Sequence, residues 1–135
     1  VQPTVHRRTV ILEILYVEDD DILRGLYAEC LREAGFSVRE ARLAEEAFHA
    51  ARCLPPDLVI LDLAMPPGEM SGTEVLARLR EDQAMAAIPI VLFSGLGDIL
   101  NPDVVRSLRV AAVVTKPARA HHLVAIVSDI LRSRS

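Results

Sequence analysis

Four short apolar runs in this chain each lead into a polar or charged side chain. Ile14-Leu15-Tyr16-Val17 runs into Glu18-Asp19-Asp20-Asp21, and Leu58-Val59-Ile60-Leu61 into Asp62. Ile90-Val91-Leu92-Phe93 runs into Ser94, and Val113-Val114-Thr115 into Lys116. Runs this short, rich in Val, Ile and Leu with little polar alternation, read as strands buried on both faces. Such strands belong to a parallel sheet covered by helices on both sides. Their carboxyl ends then share one edge, the edge where open α/β sheets bind ligands. Asp62 and the three other signals are expected to converge there.

The segments between the runs read as helices, so five strands alternate with five helices in an α/β, doubly wound arrangement. The first strand is read at 12–17. From 22 to 34 the apolar positions Ile22, Leu23, Leu26, Tyr27, Cys30, Leu31 and Ala34 predict one helix face turned to a core, and Gly35 ends that helix at C′. A short strand at 36–40 turns Val38 inward, and a helix follows at 44–52. Pro55-Pro56 breaks the chain before the central strand, 57–62. After the loop 64–70, Ser71 is read as an N-cap, with Glu74 completing a capping box for a helix to about 83. Pro89 opens the strand 90–93. Asn101-Pro102 starts a short helix to about 108, as N-cap and first-turn proline. The last strand is read at 110–114, closed by Pro117, and the last helix carries Leu123, Val127, Ile130 and Leu131 on one face.

The 135 residues suffice for one domain with a core, 51% of them hydrophobic and 25% charged. Residues 1–9 read as an N-terminal extension, 10–132 as the domain and 133–135 as a C-terminal tail. The formal net charge of −4 argues against direct nucleic acid binding, which needs clustered Lys and Arg. No apolar run reaches membrane-spanning length and no signal-peptide pattern is seen, so a cytoplasmic setting and no membrane contact are expected. Cys30 reads as core packing. Tyr16 and Tyr27 read as packing residues, and His49, His121 and His122 as surface residues.

Carboxylates gathered at one edge repel one another unless a cation joins them. Oxygen donors at loose spacing, with no Cys/His pattern, favour Mg²⁺. Asp20 and Asp21 read as well as simple caps on the first helix, where negative charge is favourable. A metal beside Asp62, a Lys116 counter-charge and a Ser94 hydroxyl together make equipment for phosphoryl transfer onto a carboxylate.

Over residues 10–132 the chain resembles the receiver domains of two-component response regulators. The motifs are Ile14-Leu15-Tyr16-Val17-Glu18-Asp19-Asp20, Leu61-Asp62-Leu63-Ala64-Met65-Pro66, Phe93-Ser94-Gly95 and Thr115-Lys116-Pro117. Their order and strand-end placement carry the likeness. The resemblance implies a CheY-like (flavodoxin-like) five-stranded parallel sheet of order 2-1-3-4-5. It implies that Asp62 accepts phosphate from a histidine kinase or histidine phosphotransfer protein. Asp19, Asp62 and the backbone carbonyl of Ala64 would bind Mg²⁺, with Glu18 acting through a water. Ser94 would bind a phosphoryl oxygen, Lys116 would pair with phosphate or Asp62, and a cis peptide would precede Pro117. An output domain or target protein would read the switch, and a weak homodimer is compatible with the sequence.

The chain also departs from that pattern. The loop after Met65-Pro66 is read as about two residues longer than is common in the family. Ser94 stands for the frequent Thr, and Val113 stands where many relatives carry an inward-swinging aromatic of the switch region. Arg109 replaces a frequent Gly, and Ala118 a frequent Phe. Ala64 and Leu96 fall at positions that influence the hydrolytic water, and neither can hydrogen-bond to it through its side chain, so slow self-dephosphorylation is expected. Three other classes compete: a pseudo-receiver that binds partners without phosphorylation, an aspartyl-phosphate phosphatase, and a flavin-binding domain. The phosphatase would need an acid where Ala64 stands. The flavin domain would need Gly, Ser and Thr donors where the first loop is acidic.

Overall fold

The computed structural model describes residues 10–64, 71–95, 102–107 and 109–133. Its elements are β1 (Glu13–Val17), α1 (Asp21–Glu33), β2 (Ser37–Ala41), α2 (Ala44–Cys53), β3 (Leu58–Leu61), α3 (Gly72–Glu81), β4 (Ile90–Gly95), α4 (Pro102–Ser107), β5 (Ala112–Lys116) and α5 (Ala120–Arg132). The strands form one parallel sheet in the order β2-β1-β3-β4-β5. The chain therefore steps from β1 to one side for β2 and returns to the other side for β3. The crevice at the carboxyl ends of β1 and β3 is the switch point of such a sheet.

Alternate residues of each strand enter two cores. Leu15, Val17, Val59, Leu61, Ile90 and Leu92 meet Ala47, Phe48 and Ala51 of α2 and Val75, Leu76 and Leu79 of α3. Ile14, Tyr16, Leu58, Ile60, Val91 and Phe93 meet Tyr27, Ala28 and Leu31 of α1 and Leu123, Val127 and Leu131 of α5. Both faces are thus covered, which is why the strand sequences lack polar alternation. Truncating a wholly buried residue such as Leu76 to Ala would cost about 2–5 kcal/mol.

Gly35 has φ +103° just after the Ala34 C-cap, as expected for a glycine at C′. Val38 is buried, as read. Ser71 caps α3, its Oγ accepting from the Glu74 N–H at 3.1 Å. Ser133, read as tail, is the C-cap of α5, and its Oγ donates to the Ile130 carbonyl.

Three local expectations are corrected. In α1, Ile22 and Leu26 are 82% and 57% exposed, while Tyr27, Ala28 and Leu31 take the core. At 100° per residue Ile22 lies about 140° round the helix from Tyr27, too far to share its face. Cys30 is only half-buried, on the flank of the same stripe. Strand β5 begins two residues later than read and runs to Lys116. Arg109 adopts φ 54°, Ala111 donates to the Ile90 carbonyl, and laddering begins with Ala112 opposite Val91. Pairing, rather than apolar character, therefore sets its limits, and Thr115 and Lys116 are strand residues opposite Ser94 and Gly95. Strand β4 likewise extends to Gly95, so Ser94 lies within the ladder. The long loop at 65–70, Leu96, Asn101, Leu108, His6 and the rest of the extension lie outside the described residues.

Candidate phosphoacceptor and metal site

The carboxyl ends of β1, β3, β4 and β5 bring Glu18, Asp62, Ser94 and Lys116 into direct contact. Lys116 Nζ lies 2.5 Å from Glu18 Oε1 and 2.8 Å from Asp62 Oδ2. Ser94 Oγ donates to Asp62 Oδ1 at 2.8 Å and accepts from the Leu63 N–H at 2.7 Å. The Ala64 N–H also donates to Asp62 Oδ1, at 2.9 Å. Asp62 therefore has both oxygens engaged, by donors from three separate strand ends. Glu18, Asp62 and Ser94 are buried, an unusual concentration of polar groups for an interior.

Burial favours the neutral form of every acid here, and the outcome differs between the two carboxyls. Glu18 is pushed up from 4.5 to about 7 by burial first and by the neighbouring Asp62 carboxylate second, against the pull of Lys116. At Asp62 burial also raises the pKa, but the adjacent Glu18, which readily takes a proton, and the bonds from Lys116, Ala64 N–H and Ser94 outweigh it and hold the group below its ordinary value. Lys116 is held above the usual lysine range, because its bonds to Asp62 and Glu18 overcome the effect of burial. The pair thus contains one carboxylate kept anionic and one that readily takes a proton.

Carboxylate oxygens of Glu18, Asp19 and Asp62 all lie within 4.8 Å of one another. The second Glu18 oxygen, Oε2, is buried without a hydrogen-bond partner. Three hard oxygen donors around an orphaned, buried acceptor fit a divalent cation such as Mg²⁺. Asp20 stands apart from this group. Its Oδ1 caps α1 by accepting from the N–H groups of Ile22 and Leu23, both at 3.0 Å, and Asp21 pairs with Arg24 in the first turn.

The Lys116-Pro117 peptide is cis, as expected. Val113 is 41% exposed, and His121 and His122 are exposed on α5. Two supporting residues were not singled out from the sequence as parts of the site. Arg24 donates to the Glu18 carbonyl at 2.8 Å and pairs with Asp21 and Glu40, tying the β1–α1 loop to β2. Gly72 opens α3 where an added Cβ would meet the Asp62 carbonyl oxygen at 2.9 Å and Leu63 Cα at 3.0 Å. A glycine at a helix start was the only signal for the second, and the first needs the β2 register to be visible.

A parallel 2-1-3-4-5 sheet with an acidic cluster at its switch point is the architecture that the resemblance implied. Residues 14–128 match the family model for the response regulator receiver domain, and the chain belongs to that family. It is 33% identical over 121 residues to the phosphate regulon transcriptional regulatory protein PhoB of Pseudomonas aeruginosa, covering 88% of this chain and 51% of that protein. It is 25% identical over 118 residues to the polar-differentiation response regulator DivK of Brucella ovis, covering 87% and 94%. Among solved structures, a putative response regulator from Chloroflexus aurantiacus aligns with TM-score 0.82 and 28% identity, covering 91% of this chain and 99% of that one. A CheY-like receiver domain from Methanospirillum hungatei, 21% identical, shares the fold with TM-score 0.83 over 92% and 96%. The chain spans about half the length, or less, of several curated relatives it matches. The cluster Glu18, Asp19 and Asp62 is consistent with the aspartate phosphorylation and Mg²⁺-dependent signalling of this family. Among the described residues no helix is long and apolar enough to cross a membrane.

Proposed function

We propose that residues 10–132 act as a phosphoaspartate switch in a cytoplasmic phosphorelay. Asp62 takes a phosphoryl group from a phosphohistidine on a histidine kinase or a phosphotransfer protein, and the acyl phosphate alters what the domain binds. The observation that carries this reading is the state of Asp62: buried, anionic, and held at once by Lys116, Ser94 and the Ala64 N–H.

A carboxylate oxygen of Asp62 attacks phosphorus, the P–N bond to imidazole breaks, and the departing imidazole takes up a proton. Lys116 moves its charge from the carboxylate to the phosphoryl oxygens. Ser94 turns its hydroxyl from Asp62 Oδ1 to one of those oxygens, leaving the Leu63 N–H that it now accepts from. Asp19, Asp62 and the Ala64 carbonyl would hold Mg²⁺, with Glu18 acting through a water, and the ion would supply positive charge where an anion must approach three carboxylates. The domain's catalysis is confined to its own phosphorylation and slow dephosphorylation. Ser94 lies in the ladder opposite Thr115, next to Val114 and Val113, so a shift of its hydroxyl bears directly on β5. An attached output domain or a separate target would read that change.

The test is to add Mg²⁺ and beryllofluoride to the purified protein and record amide shifts, with Asp62→Asn as control. Saturable shifts at Asp62, Ser94 and Lys116, lost in the control, are expected. A folded sample with no Mg²⁺-dependent response would point instead to a constitutive binding module.

A further inference from the structure

Lys116 is the cation of the site, yet the backbone beyond it is fixed from another element. Tyr27, in the middle of α1, donates its hydroxyl to the Ala118 carbonyl at 2.5 Å, across 91 residues of sequence. Ala118 lies two residues beyond Lys116. The Tyr27 ring also meets Phe93 edge to face, with centroids 4.9 Å apart and planes at 87°. Lys116 Nζ lies 5.2 Å from the centroid of that same Phe93 ring. Tyr27 thus touches both the backbone that follows Lys116 and the aromatic beneath its ammonium. Ala118 has only a methyl with which to hold its own segment, and a buried phenol seeks one specific acceptor.

We propose that Tyr27 is a positioning residue for Lys116: its hydroxyl pins the segment after β5 to α1, and its ring backs Phe93, so that the ammonium stays between Glu18 and Asp62. The proposal rests on the phosphoacceptor reading only for its functional consequence. The placement of Lys116 itself is a property of the ion-free protein. A bland alternative is that Tyr27 only fills the space between α1 and the sheet. The hydroxyl separates the two, because Tyr27→Phe keeps the ring, its burial and its contact with Phe93.

The experiment compares wild type, Tyr27→Phe, Lys116→Ala and the double variant. The first readout is the side-chain Cε/Hε signal of Lys116 in ion-free protein. The second is the dissociation constant for beryllofluoride at saturating Mg²⁺. Tyr27→Phe is expected to move the Lys116 signal and to weaken beryllofluoride binding on the order of two- to tenfold, the worth of one hydrogen bond. It is expected to add nothing in the Lys116→Ala background, since a residue acting through Lys116 has no target there. An unmoved Lys116 signal in Tyr27→Phe, or a loss that persists without Lys116, would overturn the assignment. Wild-type protein that takes up no beryllofluoride would overturn the phosphoacceptor reading instead, and the ion-free Lys116 signal would still decide the role of Tyr27.

Discussion

Arg80, at the end of α3, donates from Nη2 to the carbonyl of Arg109 at 3.0 Å. Its Nη1 donates to the carbonyls of Ala86 and Ile88. One guanidinium therefore joins the α3–β4 connection to the turn that enters β5. Arg109 holds φ 54° in that turn, a left-handed conformation that a Cβ disfavours. Arg109→Gly should stabilise the domain by about 0.5–1 kcal/mol, because the bond from Arg80 goes to the backbone and survives. Arg80→Lys should destabilise by about 1–3 kcal/mol, as an ammonium cannot reproduce the planar fork. Urea denaturation of both variants checks the pair of signs.

Gly72 is a second place where the backbone dictates the residue. Gly72→Ala should displace the Asp62–Leu63 exit from β3, since its Cβ would lie 2.9 Å from the Asp62 carbonyl oxygen. The expected result is a loss of about 1–3 kcal/mol with an additional fall in Mg²⁺ affinity. Unchanged affinity in a folded variant would show that the helix start, and not the carboxylate, absorbs the strain.

The raised Glu18 pKa gives a pH dependence of defined sign. Between 4.5 and about 7 the folded, ion-free protein holds a proton at Glu18 that the unfolded chain releases. This contribution to stability is fully present below 4.5 and is lost as pH rises through about 7. Asp62 acts oppositely, its contribution being lost as pH falls below its ordinary value of 3.8. Chelator-treated protein should therefore weaken from pH 5 to about 7, and Glu18→Gln should flatten that limb. Mg²⁺ should bind more tightly as pH rises towards 7 and release a proton below it, which calorimetry in buffers of different ionisation enthalpy would detect.

Ala64 offers the hydrolytic water no side-chain hydrogen bond. The phosphorylated domain should outlast a period of seconds, as followed by phosphate release after rapid desalting. Ala64→Glu should shorten the lifetime by supplying an acceptor beside Asp62. Decay within seconds in the parent protein would show that another group orients the water.

Much of the site was legible because Glu18, Asp19, Asp62, Ser94 and Lys116 each sit where an apolar run ends. The strand order that the family resemblance implies matches the structure, and of the readings left open for Asp20 the helix cap is the one observed. The α1 face was misread because Ile22 and Leu26 mimic a helical stripe that Tyr27 and Leu31 in fact occupy. The limits of β5 were misread because pairing partners on β4 leave no mark in the local composition. Arg24 and Tyr27 escaped for a related reason. Their acceptors are backbone carbonyls of residues 18 and 118, which no side-chain pattern announces.

The lysine that completes the site lies 98 residues along the chain from Glu18 and 54 from Asp62. The hydroxyl of Ser94 is 32 residues from the carboxylate that it meets. A nascent chain that has emerged only as far as Asp62 carries that carboxylate but neither the Ser94 hydroxyl nor the Lys116 ammonium. Contacts of such long range form late, after the loops between them have closed. The contacts that hold Asp62 are thereby complete only when β4 and β5 have joined the sheet.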